Sequence, residues 1–161
     1  MILILNRLNN LYVNRLVQFS KMSVVKLICF TVIIEISVTL IFSLLLFPNH
    51  TAGPKFENRM EEFFTAVFFA PLIETLIFQY AFISYIISKW SNAYLFSCIV
   101  TAILFGLSHF YSPEYVLKTF LSGLLFGSLY LVAFRKKTNA FIVVTVAHSI
   151  YNFIGFCFRH I

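Results

Sequence analysis

The sequence predicts an all-α membrane protein with about five transmembrane helices in one bundle and an amphipathic helix at its N-terminus. Composition is the first observation behind this prediction, because 60% of the 161 residues are hydrophobic, only 11% are charged, and the mean hydropathy is +0.90. A soluble domain has about 25% charged residues, so this chain lacks the polar side chains to cover a water-facing surface. The second observation is a series of apolar runs of about 20 residues, the length that crosses a hydrocarbon core.

Five such runs follow one another, and each of the first four ends at helix-breaking or charged residues. Pro48 follows the first, the segment 89–92 (KWSN) the second, the segment 112–114 (SPE) the third and the segment 135–137 (RKK) the fourth. The predicted spans are residues 27–47, 63–88, 92–111, 115–134 and 139–158.

Loop charges then predict the orientation, since Lys and Arg concentrate on the cytoplasmic side of a membrane protein. With the N-terminus inside and five spans, the inner segments hold eight of the twelve Lys and Arg residues: Arg7, Arg15, Lys21, Lys26, Lys89, Arg135, Lys136 and Lys137. The N-terminus is therefore expected in the cytoplasm, and the small size indicates a prokaryotic plasma membrane. The net charge of +6 is assigned to topology and to contact with anionic lipid, and nucleic acid is not expected as a partner.

Residues 1–26 are predicted to form a basic amphipathic segment on the inner membrane surface. Leu5, Leu8, Tyr12, Leu16 and Phe19 recur at intervals of three or four residues, which is typical of one helix face. Residues 27–161 form the predicted transmembrane domain. With no long soluble segment on either side, the whole activity is expected to belong to the membrane bundle.

Three of the predicted spans carry polar residues of the kinds that perform hydrolysis. Glu74 lies in the second span, His109 in the third, and His148 with Asn152 in the fifth. An ionisable group at membrane depth costs roughly 2.5–3.5 kcal/mol on insertion scales, so it is a candidate functional residue by default. His148 and Asn152 are four residues apart and therefore share a helix face. Together the four residues predict one polar site inside the bilayer.

The residue types indicate amide hydrolysis by direct attack of water. Glu74 would take a proton from water while His109 orients that water or shares the proton. His148 and Asn152 would supply N–H donors to a tetrahedral oxyanion. Pro71 lies three residues before Glu74, and its missing N–H is expected to leave the carbonyl of Val67 without a helical partner. A bent, locally hydrated helix beside a carboxylate suits water activation.

These motifs resemble the CAAX protease and bacteriocin-processing (CPBP, or Abi) family of intramembrane endopeptidases. The family pattern is EExxxR on one transmembrane helix, FxxxH on a second and HxxxN or HxxxD on a third. Here the corresponding stretches are APLIETLIFQ (70–79), FGLSH (105–109) and HSIYN (148–152), with a glycine-rich segment at 120–130 before the last one. The resemblance covers about residues 66–158. It implies that Glu74 is the general base, with His109 as its partner, and that His148 and Asn152 form the oxyanion site.

Two departures from the family pattern fall in the first motif. Thr75 stands where the family has its second Glu, and Gln79 where it has its Arg. Loss of only one charge of a buried pair would leave an orphan costing about 3–5 kcal/mol. Both charges are missing here, and Thr75 and Gln79 are expected to support the site through a hydrogen bond.

The resemblance implies a lipidated (prenyl or CAAX-type) or membrane-embedded peptide as the substrate. No cofactor and no metal are expected, because Asn is a poor zinc ligand and the chain has no HExxH motif. A zinc site formed by Glu74, His109 and His148 is the less favoured option. A second hypothesis is a weakly active or inactive family member that acts in bacteriocin self-immunity or as a membrane scaffold. A third is a small transporter with a proton relay.

Two features outside the motifs leave their roles open. Gly123 and Gly127 form a GxxxG pattern that indicates close helix packing, either within the chain or between chains, so the oligomeric state is not predicted. Glu35 in the first span is interpreted as a structural or lipid-facing carboxyl, with a contribution to the site as the alternative.

Overall fold

A computed structural model describes residues 2–48 and 53–160, and within them the regular structure is entirely helical. The first helix, α1, covers Ile2–Phe19. Helix α2 covers Val24–Leu46 and α3 covers Arg59–Lys89. The remaining helices are α4 (Tyr94–Ser108), α5 (Pro113–Arg135) and α6 (Ala140–His160). The prediction of an all-α membrane protein is confirmed.

Helices α2, α3, α5 and α6 are long and apolar enough to cross a membrane. Many of their large hydrophobic side chains face outward, such as Leu45 on α2 and Phe69 on α3, where lipid would cover them. The third predicted span, residues 92–111, is the 15-residue helix α4. At 1.5 Å per residue this helix is about 22 Å long, shorter than a hydrocarbon core of about 30 Å.

Local sequence accounts for where the helices begin. Ser23, Asn58 and Ser112 precede α2, α3 and α5 and accept hydrogen bonds from backbone N–H groups in the first turn. These are the residue types preferred at such N-caps, because the side-chain oxygen satisfies a donor that has no intrahelical partner. Pro113 then occupies the first turn of α5, where its missing N–H costs nothing.

Helix α5 is the central helix and packs against α1, α2, α3, α4 and α6. Its closest neighbour is α4, and glycine makes the approach possible. A Cβ atom added at Gly123 would lie 2.9 Å from Cα of Ala102, and one at Gly127 would lie 3.1 Å from Sγ of Cys98. The GxxxG pattern therefore serves a helix contact within the chain, the small-residue packing that brings membrane helices together.

Helix α1 packs against α4 and α5. Leu16 is buried in the core, with Tyr12 and Phe19 packed beside it, whereas Leu8 is exposed and the side chain of Leu5 lies outside the described part. Tyr12 shares a hydrogen bond of 2.8 Å with Ser128 of α5, and burial raises the pKa of its phenol. The phenol is therefore a neutral hydrogen-bonding group that ties α1 to the bundle.

Helix α3 is the irregular element of the fold. Two stretches, Phe63–Phe69 and Thr75–Ile83, are π-helical and enclose the α-helical turn Ala70–Glu74. With 31 residues, an ideal α-helix would be about 46 Å long, well beyond the core thickness. Glu74 near its middle is therefore level with the end of the short α4, where His109 lies. This length difference explains how a residue in the middle of α3 meets a residue at the end of α4.

The glycine contact between α4 and α5 can be tested by stability. Replacing Gly123 with Ala should lower the free energy of unfolding by about 1–3 kcal/mol, because the new methyl group meets backbone that cannot move away freely. Gly155→Ala is the matched control, since nothing lies within 4 Å of an added Cβ there. That variant should be neutral or more stable by up to about 1 kcal/mol. Thermal unfolding in detergent micelles would compare them, and equal midpoints would contradict the packing role.

Candidate active site

A cavity of about 590 Å³ lies between helices α2, α3, α4, α5 and α6. Most of its wall is apolar, which is typical of ligand sites that bind through a few well-placed polar groups. The polar groups on the wall include the four residues singled out in the sequence, Glu74, His109, His148 and Asn152. Three separate helices or helix ends contribute them, so the bundle brings together residues that are up to 78 positions apart.

The Glu74 carboxylate lies between the two imidazole rings. One of its oxygens is 3.4 Å from Nε2 of His109, and the other is 3.7 Å from Nε2 of His148. The side chains of Glu74 and His109 are 21% and 17% exposed, whereas that of His148 is 6% exposed. The acid and one ring therefore face the cavity while the second ring is enclosed by protein.

The orientation of His109 is fixed by the end of its own helix. The residue caps α4, and its Nδ1 lies 2.8 Å from the carbonyl oxygen of Phe105, one turn earlier. Because a carbonyl oxygen only accepts hydrogen bonds, Nδ1 carries a proton and donates it. In the neutral ring, Nε2 is then an acceptor that faces the Glu74 carboxylate. Two acceptors in contact require a proton or a hydrogen-bond donor between them.

His148 is held by aromatic packing. Its ring stacks on Phe126 with centroids 4.4 Å apart, and the Phe105 ring lies at a steep angle to it with centroids 6.2 Å apart. Its Nδ1 is buried without a hydrogen-bond partner among the described residues. Since buried N–H groups without a partner are rare, the proton of the neutral ring belongs on Nε2, where the Glu74 carboxylate can accept it.

Asn152 contacts the irregular part of α3. Its Nδ2 donates to the carbonyl oxygen of Ala66 at 2.8 Å. Pro71 explains why this carbonyl is available. In the π-helical register, each N–H bonds five residues back, as that of Ala70 does to Thr65, so the missing N–H of Pro71 frees Ala66. The sequence-based expectation of a free carbonyl at Val67 assumed the α-helical spacing of four, and it stays a prediction.

Residues 56–154, more than half of the chain, match the family described as Type II CAAX prenyl endopeptidase Rce1-like. The chain belongs to this family. Neither a curated protein nor a solved structure matches the chain significantly.

Family membership confirms the resemblance drawn from the motifs. The matched region contains Glu74, His109, His148 and Asn152, and the family is one of CAAX-type intramembrane endopeptidases. Together with the long apolar helices, it identifies an integral membrane protein. The protein is thus a protease at the level of its family.

The two departures from the family motif do not form the expected pair. Thr75 and Gln79 are both fully buried, but the Thr75 hydroxyl and the Gln79 carbonyl oxygen have no hydrogen-bond partner within the described part of the chain. Both residues lie in the π-helical stretch of α3. The i→i+5 hydrogen bonds of this stretch widen the turn, so residues four apart no longer lie one above the other.

Sequence reasoning missed an ion pair on the cavity wall. Glu62 is 7% exposed and accepts hydrogen bonds from Arg159 at 2.6 Å and from Nε2 of His160 at 2.8 Å. These contacts join the start of α3 to the end of α6. The signal in the sequence was weak, because a Glu near a loop and a basic C-terminus are ordinary features of a membrane protein.

The donor atoms at the site have the chemical types that zinc binds, since Glu74, His109 and His148 offer oxygen and imidazole nitrogen. Their arrangement fits less well. Zinc needs its ligands about 2.0–2.2 Å from one ion, and no group of three His, Cys, Asp or Glu residues in the part that the structure describes has the arrangement of a metal site. The expected absence of a metal stays a prediction.

The hydrogen bond between Asn152 and Ala66 can be tested with a double-mutant cycle. Asn152→Leu should lower the free energy of unfolding by about 1–3 kcal/mol, because it leaves a partly buried carbonyl without a donor. In a Pro71→Ala background the cost should fall, since residue 71 then supplies an N–H. Thermal unfolding of all four proteins would measure the coupling. Equal costs in both backgrounds would show that Pro71 is not the origin of the contact.

Proposed function

We propose that this protein is an intramembrane endopeptidase that hydrolyses a peptide bond of a lipidated (prenyl or CAAX-type) or membrane-embedded peptide, using water activated by Glu74 and His109. The observation that carries the proposal is the convergence of one carboxylate with two Nε2 atoms, at 3.4 and 3.7 Å, on the wall of a cavity among apolar helices. Such a group can deprotonate water and stabilise the negative charge that develops.

The tautomer of His109 supports a defined position for the attacking water. The Glu74 oxygen and the neutral His109 Nε2 both accept hydrogen bonds, and a water molecule has two O–H groups to donate. Water bound between them has its lone pairs free for attack on a carbonyl carbon. The backbone carbonyl of Phe105 maintains this state, because it keeps the ring proton on Nδ1.

The reaction then proceeds through a tetrahedral intermediate. The water oxygen forms a bond to the carbonyl carbon while its proton passes to Glu74, and the carbonyl oxygen becomes an oxyanion. When the intermediate collapses, the C–N bond breaks and the amine takes a proton from the Glu74 carboxyl. The products are a carboxylic acid and an amine, and Glu74 returns to its starting state. No covalent acyl-enzyme forms.

His148 and Asn152 are the proposed donors to the oxyanion. The Nε2–H of His148 faces the Glu74 carboxylate before the reaction and becomes available to the oxyanion once that carboxylate has taken the water proton. Asn152 has two N–H groups, of which the contact with Ala66 uses one. Loss of one oxyanion donor typically costs about 2.7–4 kcal/mol in the barrier. Asn152 would thus have two roles, holding α3 with one N–H and contacting the substrate with the other.

Replacing Glu74 with Gln tests the proposal. The purified wild-type protein should cleave a prenylated peptide or a generic transmembrane peptide, and Glu74→Gln should reduce kcat/KM by at least about 10³-fold, because the general base is lost. Glu57→Gln is the matched control, since Glu57 is exposed in the loop before α3 and its variant should remain active. Product release would be followed by mass spectrometry.

The same variants address the alternative of a scaffold or self-immunity factor. The unpartnered polar atoms of Thr75 and Gln79 favour that alternative, because they indicate a site less well supported than the family motif. If wild type and Glu74→Gln release no product and protect cells equally from a bacteriocin, the protease hypothesis is wrong.

Chelators test the metal-free mechanism. Activity should be unchanged after prolonged incubation with EDTA or 1,10-phenanthroline, because Glu74 and His109 activate water without a Lewis acid. A loss of activity that added Zn²⁺ restores would contradict this and would favour the ligand set Glu74, His109 and His148. A parallel measurement of thermal unfolding would separate metal removal from denaturation by the chelator.

A further inference from the structure

Lys118 of α5 places a positive charge on the cavity wall. Its Nζ donates to the hydroxyl of Tyr151 at 2.7 Å, and it lies 5.0 Å from the centre of the Tyr151 ring and 5.9 Å from that of Tyr115. The Tyr151 hydroxyl also shares a hydrogen bond with Thr39 of α2. The ammonium group is thus held at one position by α5 and α6 rather than extended toward a membrane surface.

Lys118 makes no contact ion pair with the residues that the structure describes, and Glu35 is the carboxylate whose charge acts on it from a greater distance. The ion pairs among the described residues are centred on Glu74 and Glu62. Glu35 of α2 is fully buried, does not line the cavity and accepts its hydrogen bond from Ser122 at 2.9 Å. An ammonium group has three N–H donors, and Tyr151 accepts from one of them. The others are available to an anion in the cavity.

The ring of Tyr115 lies near both His109 and Lys118, and its two distances limit how far apart these residues can be. The rings of His109 and Tyr115 have centroids 6.1 Å apart, and Lys118 lies 5.9 Å from the second centroid. The ammonium is therefore no more than about 12 Å from the His109 ring, a distance that three to four extended residues cover at about 3.3–3.6 Å each. A peptide reacting at Glu74 would therefore reach Lys118 within its first four residues or so beyond the scissile bond.

We propose that Lys118 binds the C-terminal carboxylate of the peptide substrate. This inference rests on the proposed function and specifies its substrate as a peptide that ends within about four residues of the cleaved bond. Prenylation signals are C-terminal C-a-a-X sequences, so a substrate of this class has a carboxylate at such a distance. A charge-assisted hydrogen bond to that carboxylate, formed in a water-poor cavity, would select chain ends over the interior of a transmembrane segment.

The test compares two probes that differ only at their end. One is the S-farnesylated peptide Cys-Val-Ile-Met with a free carboxylate and an N-terminal fluorophore, and the other is its C-terminal amide. Binding would be measured by fluorescence anisotropy in phosphatidylcholine nanodiscs, whose zwitterionic lipid avoids competition by anionic headgroups. Binding is measured with the Glu74→Gln variant, in which turnover is prevented. Cleavage of both probes is measured separately with the wild-type protein.

The acid should bind at least about tenfold tighter than the amide, as expected for a hydrogen bond to a charged group. Lys118→Met should remove this preference by weakening the acid alone. Lys89→Met is the matched control, because it removes a charge from an exposed position at the end of α3, and it should keep the preference. If Lys118→Met does not fold, Lys118→Gln, which can still donate to Tyr151, carries the same expectation.

Three outcomes would overturn the proposal: equal affinity for acid and amide with Lys118 present, a preference that survives without Lys118, or an equal loss of both affinities in the Lys118 variants. The last would mean that Lys118 only supports the fold. Binding that prefers the acid without any cleavage by wild type would refute the proposed protease function alone. Cleavage of both probes without a preference would refute the carboxylate site alone.

Discussion

A backbone carbonyl inside a membrane needs a hydrogen-bond donor from the protein, because the surrounding hydrocarbon offers none. Pro71 creates this requirement in α3, since it has no N–H to offer to Ala66, and Asn152 of α6 meets it. The contact fixes the rotation of α3 against α6. Because His148 lies one turn before Asn152 on the same face of α6, the hydrogen bond that satisfies Ala66 also brings His148 beside Glu74. The candidate active site thus depends on a defect in helix hydrogen bonding.

Different groups hold the two histidines of the site in place. Aromatic packing holds the ring of His148, whose Nδ1 has no hydrogen-bond partner among the described residues, and a backbone carbonyl holds His109. Thr75 and Gln79 are buried beyond the cavity wall, where the family motif has an acid and a cation. A neutral pair at these positions avoids the desolvation of two charges, which their mutual attraction often fails to recover. The site therefore retains the groups that contact the cavity and lacks the charges behind them.

The residues that meet at the cavity were predictable, because ionisable groups are costly in lipid and few positions in an apolar chain carry them. Four of the five spans were predictable for the same reason, whereas the third is the short helix α4. The register of α3 was not. A proline in a helix predicts a freed carbonyl, but only the three-dimensional packing decides between the α-helical and π-helical spacing. The π-helical spacing assigns the missing N–H of Pro71 to Ala66, the carbonyl that Asn152 contacts. Glu62 and Lys118 were also missed, because charged residues near span ends usually face water or headgroups.

The separation of charge along the cavity wall constrains how a peptide can lie in it. The ammonium of Lys118 lies no more than about 12 Å from the ring of His109, which contacts Glu74. A peptide in the opposite direction would bring its amino group, or no charge at all, to Lys118. Opposite charges at fixed positions contribute orientation more than affinity, so the proposed contact between Lys118 and a chain end would give the cavity a preferred chain direction. In that direction, the proposed water would meet a scissile carbonyl only when the chain ends near Lys118.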